Sequence, residues 1–282
     1  MTRPLQMINQ GYVGSEIAEV LQMPPALAVA WHTHGYYGSV SHNVKAIYQR
    51  YLGWYEGNPA RLGPHPPAES ARRYVAAMGG VDAAVQQARD AYVAGDYRWV
   101  ARLLDHVLFT EPDHAEARSL LADAFEQFGY GAENGTWRSA YLAGAKELRE
   151  GQFGTPATAA SADLLRALTV PQIFDSIGVR VDGPRAWDHH ITISWILTDE
   201  GAIHITELRN GALNHRTVEA ALPGTTTFRL TRDDLLSLVT GSMDLPSAIA
   251  AGTVEVEGNP ADLALLVSLL APVDPDFAIV TP

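Results

Sequence analysis

ITISWILTDEGAIHITELRNG, residues 191–211, carries the reading that decides the fold. Ile191, Ile193, Trp195 and Leu197 alternate with Thr192, Ser194 and Ile196, the period of two that a half-buried strand requires. Asp199-Glu200-Gly201 turns the chain into a second strand bearing Ile203 and Ile205, and Asn210-Gly211 offers two residues that tolerate the positive φ of a hairpin turn. Two further strands are expected after it. Thr231 then caps a helix, Pro246 to Ala251 forms another, Thr253 to Glu257 returns as a short strand, and Pro260 opens a last helix ending near Leu270. The expectation for residues 162–282 is an α+β domain with an antiparallel sheet and helices on one side.

Upstream the period is three to four, and residues 1–150 read as an all-α domain. Ser15 is expected to cap a short helix carrying Ile17, Val20 and Leu21 that Pro24 and Pro25 stop, and Val44, Ile47, Tyr48, Tyr51 and Leu52 make one stripe between His42 and Tyr55. GNPARLGPHPP, residues 57–67, is expected as a stiff loop. Four helical runs follow: Val81 to Val93, Tyr97 to Phe109, Ala115 to Phe128 and Trp137 to Leu148. The Trp99, Leu103, Leu104 and Val107 stripe belongs to a core or an interface. The stretch 91–125, with its Ala-Gly-Asp-Tyr turn and Pro112, resembles a tetratricopeptide-type unit of about one and a half repeats, too few for a free-standing solenoid. GQFGTPATAAS, residues 151–161, is small and unpatterned, and is expected as the linker.

Twenty Lys and Arg stand against 32 Asp and Glu in 282 residues, a net charge of -12. Residues 1–160 hold 13 basic and 16 acidic side chains and residues 161–282 hold 7 and 16, so the second half is the acidic one. That field repels phosphates and anionic lipid surfaces, and neither nucleic acid nor membrane is expected as a partner. There is no Cys, which excludes disulfides and thiolate chemistry. No run of about 18 apolar residues occurs, and MTRPLQMINQ has neither the basic start nor the apolar centre of a signal peptide, so a cytoplasmic protein is expected. Gly-x-Ser-x-Gly and phosphate-loop motifs are absent.

Three blocks occur in the order of one known family. NQGYVGSEIAEVLQMPPALAVAWHTHGYYGSVSHNVKAIYQRYLGWYEGNP, residues 9–59, resembles the segment of alkyl sulfatases that follows their metallo-β-lactamase domain and leads into their dimerisation domain. AAGTVEVEGNPADLALLVSLL, residues 250–270, resembles the closing strand, turn and helix of sterol-carrier-protein-like domains, and DPDFAIVTP resembles the alkyl sulfatase carboxyl terminus. The resemblance implies a tetratricopeptide-like helical dimerisation domain over 1–150 and a sterol-carrier-protein-like α+β domain over 162–282. Family members hold two zinc ions through an H-x-H-x-D-H motif, which does not occur in this sequence. No cofactor is therefore expected on the chain itself, with zinc arriving only through a separate metallo-β-lactamase-like partner.

The resemblance also implies a site at Trp31 to Gly38, a region that closes over the sulfate group in the family. His32 is its candidate catalytic proton donor, and His34, Tyr36, Tyr37 and Asn43 are candidate substrate contacts. The family more often has Arg where His34 stands, and an imidazole lacks the fixed bidentate charge of a guanidinium. The residues equally fit a loop packed between helices. His32-x-His34 and Asp188-His189-His190 give too few ligands for a metal site. In the second domain, Ile191, Ile193 and Trp195, with Ile203 and Ile205, either form a closed core or line a tunnel for an alkyl chain. The expected function is a homodimeric, apolar-ligand-binding protein without its own hydrolase domain. The alternatives are the substrate-closing subunit of a two-chain zinc-dependent alkyl sulfatase, and a natural-product-tailoring protein on the same scaffold.

Overall fold

The computed structural model describes residues 2–154 and 162–282. It divides into two units, Met1–Gly154 with Asp276–Pro282, and Thr155–Pro275. The expected linker lies outside the described residues from 155 to 161; before it, Gly151 closes the last helix of the first unit with φ 88°.

The first unit is helical: α1 Thr2–Ile8, α2 Gly14–Val20, α3 Pro25–Ala28, α4 Val40–Leu52, α5 Pro67–Ala77, α6 Val81–Val93, α7 Tyr97–Leu108, α8 Ala115–Gly131 and α9 Gly135–Glu150. Side-chain caps set the starts. Ser39 accepts from the His42 N–H at 3.1 Å, Asp96 from Trp99 at 3.1 Å, and Asn134 from Trp137 at 2.9 Å. Ser15 does not cap α2; Val13 holds that position, and Glu16 reaches back to its N–H at 2.9 Å. The proline-rich loop is shorter than expected, because Pro67 at the first helical position is pre-set in φ and begins α5 rather than ending the loop. The centre of the unit is α7. Val100, Leu103, Leu104, Val107 and Leu108 are buried between α6 and α8, whereas Trp99 stands half exposed at 48%. Each fully buried leucine contributes about 1.5–3 kcal/mol of apolar transfer.

The last seven residues lie with this unit, although the sequence pattern assigns all of 162–282 to the second domain. The cause is Glu147 on α9, itself 7% exposed, whose Oε1 accepts the N–H groups of Ile279 at 2.8 Å and Val280 at 3.0 Å. Gly144 leaves room for the return: a Cβ there would sit 3.3 Å from Val280 Cγ1 and 3.1 Å from the Phe125 ring.

The second unit contains α10 Ala162–Ala167, α11 Val170–Gly178, α12 Gly183–Ala186, β1 Ile191–Leu197, β2 Ala202–Arg209, β3 Ala212–Val218, β4 Thr226–Leu230, α13 Arg232–Val239, α14 Leu245–Ala250, β5 Glu255–Glu257 and α15 Ala261–Ser268. The strand order is β3-β2-β1-β4-β5. Asn210 at φ 51° and Gly211 at φ 76° make the expected hairpin turn. The sheet is mixed rather than antiparallel, since β4 runs parallel to β1. Residues 219–225 cross β1 to reach it, and Leu222 N–H donates to Ser194 Oγ at 3.3 Å on the way.

The register corrects a second expectation. Trp195 pairs with His204 and Phe228, so Ile191, Ile193 and Trp195 share a face with the even-numbered residues of β2. Ile203 and Ile205 lie opposite Ile196 and Ser194 and point to the other face. Helical residues Val170, Phe174, Leu235, Ala248 and Leu266 cover the Trp195 face.

Glu147→Ala removes the acceptor of two charge-assisted bonds. It is expected to release the tail, lower stability by about 2 kcal/mol and speed amide exchange at Ile279 and Val280. Unchanged protection at those two amides would show that Glu147 does not hold the tail.

Candidate functional site

Two hollows, one in each unit, collect some of the candidate residues and leave others outside. In the helical unit a 3-10 turn, Trp31–Thr33, leads into the loop before α4. The loop is pinned to the α8–α9 joint. His34 Nδ1 lies 2.7 Å from Glu133 Oε1, Gly35 N–H donates to Glu133 Oε2 at 3.3 Å, and Gly135 N–H donates to the Tyr36 carbonyl at 2.7 Å. The Tyr37 carbonyl accepts from Asn134 Nδ2 at 2.5 Å and from Thr136 Oγ1 at 3.2 Å. Asn134 is 4% exposed, so the same amide caps α9 and anchors the loop.

His34, Asn43, Glu133, Asn134 and Trp137 border a hollow of about 650 Å³. The Tyr36 ring stacks on His34 at 5.5 Å, and Trp137 Nε1 donates to His42 Nδ1 at 3.0 Å. The structure thus brings His34 and Asn43 to one hollow, with Tyr36 against His34. His32 and Tyr37 do not border it. His32 is exposed and meets the Trp31 ring edge-on at 5.9 Å, and Tyr37 is 83% exposed. Glu133, Asn134 and Trp137 escape a local reading because they lie about a hundred residues downstream; the only local sign is a polar Glu-Asn-Gly joint between two helices. The bond to His34, with the Gly35 N–H, holds the Glu133 carboxyl below its ordinary value of 4.5.

In the second unit a cavity of about 950 Å³ opens between the sheet and its helices. Phe174 and Ile177 of α11, Trp195, Leu235 and Leu238 of α13, and Leu266 of α15 form much of its wall. Trp195 is 3% exposed, and its ring lies 5.1 Å from Phe228 and 5.7 Å from Phe174. Its Nε1 donates to Thr206 Oγ1 at 2.9 Å, which satisfies the one polar atom of the indole and leaves an apolar surface toward the cavity. Ile191 and Ile193 are buried in the core behind it and do not line the space. His204 shares this face, 4% exposed; burial pushes its imidazole below 6.5, and its Nδ1 lies 3.2 Å from Thr217 Oγ1.

His190 pairs with Glu207 at 3.2 Å. Among the described residues no three His, Asp or Glu side chains gather to hold a metal ion. The zinc that the family resemblance implies finds no ligand set there. Among the described residues no helix is long and apolar enough to cross a membrane.

The architecture is thus a helical unit followed by a mixed-sheet unit that surrounds a ligand-sized apolar cavity. The chain belongs to the alkyl sulfatase family: residues 13–151 match the model of the alkyl sulfatase dimerisation domain and residues 158–282 that of the alkyl sulfatase C-terminal domain. It is 43% identical over 280 residues to a linear primary-alkylsulfatase from Pseudomonas sp., covering 99% of this chain and 41% of that protein. An (R)-specific secondary-alkylsulfatase from Pseudomonas sp. is 42% identical, with 99% and 42% covered. The solved structure of the stereoselective inverting sec-alkylsulfatase Pisa1 from Pseudomonas sp. superposes with a TM-score of 0.93 at 40% identity, over 100% of this chain and 44% of that one. The chain spans about two fifths of the length of the relatives it matches.

Because the Glu133 carboxyl is depressed in the folded state, its contribution to loop order is full above pH 4.5 and is lost as pH falls through the folded value. The protection factor of the Gly35 amide is expected to fall across that acid range, and Glu133→Gln to show the faster exchange already at neutral pH. A Gly35 amide with equal protection in both proteins at pH 7 would contradict this.

Proposed function

We propose that this chain performs the dimerisation and apolar-ligand-holding work of an alkyl sulfatase, while hydrolysis belongs to a metal-binding domain outside these residues. The cavity behind Trp195 carries the reading, since its volume of about 950 Å³ lies in the range of small-molecule sites and its wall is mainly apolar. The family's dimerisation domain supports a homodimer built on the helical unit. The second unit holds its ligand in the manner that the sterol-carrier resemblance implies.

A second reading has the loop before α4 close over the substrate of a zinc-dependent alkyl sulfatase whose metal centre sits on a metallo-β-lactamase-like domain. The meeting of His34, Asn43 and Glu133 in one hollow favours it, together with the exposed rings of Trp31, Tyr36 and Tyr37. In that reading His32 is the proton donor and His34 a substrate contact. Sulfate release from an alkyl sulfate only when such a domain is added, and its loss with His32→Ala, would establish it.

For the leading reading, light scattering of the full chain at micromolar concentration is expected to give about 61 kDa, twice 30.5 kDa. A fluorescent twelve-carbon fatty acid should bind saturably and be displaced by 1-dodecanol. Trp195→Ala, which removes one wall, is expected to weaken that binding about tenfold. A mass near 30 kDa removes the dimer, and absence of saturable binding removes the ligand.

A further inference from the structure

We infer that helix α11 is an acid-opened lid over the cavity of the second unit, with His204 beneath it as the trigger. The proposal concerns entry to the cavity, and it rests on the apolar-ligand reading above only for what passes through. Phe174, on the inward face of α11, is 1% exposed, and its ring lies 5.8 Å from His204 of β2 and 5.8 Å from His215 of β3. The register sets the two histidines diagonally on one sheet face, His204 opposite Thr217 and His215 opposite Thr206. His204 is 4% exposed, with its Nδ1 at 3.2 Å from the Thr217 hydroxyl. Among the described residues His190 and His215 each pair with a carboxylate, and His204 does not.

A neutral imidazole suits that position, whereas a charged one is buried without a counter-ion and is costly. The groups around it do not repair this. From β1 it faces the uncharged Trp195, and from β3 Thr217 and His215. From α11 come Phe174 and then Asp175, which is already paired with His215 at 2.8 Å, and in the turn after β1 Glu200 is paired with Arg232 at 3.4 Å. Burial is the largest influence and holds the ring below 6.5; Glu200 favours the charge and His215 opposes it. The closed form is therefore favoured above pH 6.5 and loses that advantage as pH falls toward the folded value.

The element that yields is α11. Strand β2 is hydrogen-bonded to β1 on one side and β3 on the other, but α11 lies on the sheet through side chains. Its ends are fixed. Before it, the Arg232 guanidinium donates to the carbonyls of Arg166, at 2.7 Å, and Leu168; after it, the Arg180 carbonyl accepts from Ala271 at 2.7 Å and Val181 bridges to Leu270. Opening is thus a local loosening of Val170–Gly178 between two anchors. The bond from His215 to Asp175 does not prevent it, since Asp175 is 68% exposed and such a pair counts for little against a buried charge. Phe174 and Ile177 of the same helix wall the cavity, so the loosening opens it.

Amide exchange of the full chain between about pH 7.5 and about pH 5, the range in which a histidine changes charge, tests the lid when it is read as protection factors. The amides of Phe174 and Ile177 are expected to lose about tenfold in protection for each pH unit that separates the closed and open values of His204. Those of Ile193 and Thr206 in the sheet should keep theirs. His204→Gln, neutral throughout, should hold α11 protection constant over the range, and His215→Gln should leave the acid loss in place. In the unaltered protein the His204 ring resonances should titrate with the same midpoint as α11 protection, a readout that does not depend on the variants folding. Pyrene, an uncharged probe, should enter the cavity faster at the acid end. Constant α11 protection over the range overturns the lid, as does a loss shared equally by the sheet. An acid loss that persists in His204→Gln overturns His204 as the trigger. Absence of pyrene binding at every pH, with the α11 loss intact, removes the ligand reading and leaves the lid standing.

Discussion

The bond from Trp195 Nε1 to Thr206 Oγ1 is the contact around which the second unit is arranged. An indole so deeply buried must find an acceptor for its N–H, and the acceptor must stand on the same sheet face. The turn after β1 supplies this through parity. With Leu197 opposite Ala202, odd residues of β1 face even residues of β2, and Thr206 falls beside the ring. A shift of one residue would put Ile205 there instead and leave the indole unpaired. The same parity aligns Phe228 from β4 against Trp195, so the aromatic wall, the mixed sheet and the cavity all follow from one register.

In the helical unit the corresponding economy lies at the α8–α9 joint. Asn134 caps a helix, anchors the Tyr37 carbonyl and borders the hollow, while Glu133 binds both the ring and the following amide of the loop before α4. The loop is thus held by a joint far from it in sequence, with its aromatic rings left facing out. A capping residue serves here as the floor of a candidate site.

The division into a helical and a sheet-containing half, four of the long helices and the Asn210-Gly211 turn were legible, because each depends on local periodicity and turn chemistry. Helix α11 carries a local sign as well, the capping box of Thr169 and Gln172. The parallel pairing of β4 was not, since nothing in Thr226–Leu230 records which edge of the sheet it joins. The face assignment of Ile203 and Ile205 failed because alternation gives each strand two faces without saying which of them meets the neighbour's. At the sites, Trp195 and His34 were accessible as residues, but Thr206, Glu133 and Arg180 become partners or cavity wall only through contacts between distant segments.

The return of Asp276–Pro282 to the helical unit has a temporal side. On the ribosome α9 is complete at Glu150, yet Ile279 and Val280 emerge only after the whole sheet unit has been made. At about 5–20 residues per second the helical unit waits on the order of 6–25 s for its final segment. Until then the Glu147 carboxylate has no backbone partner from the tail. The two units are therefore not finished in the order in which they are translated: the first completes its packing last.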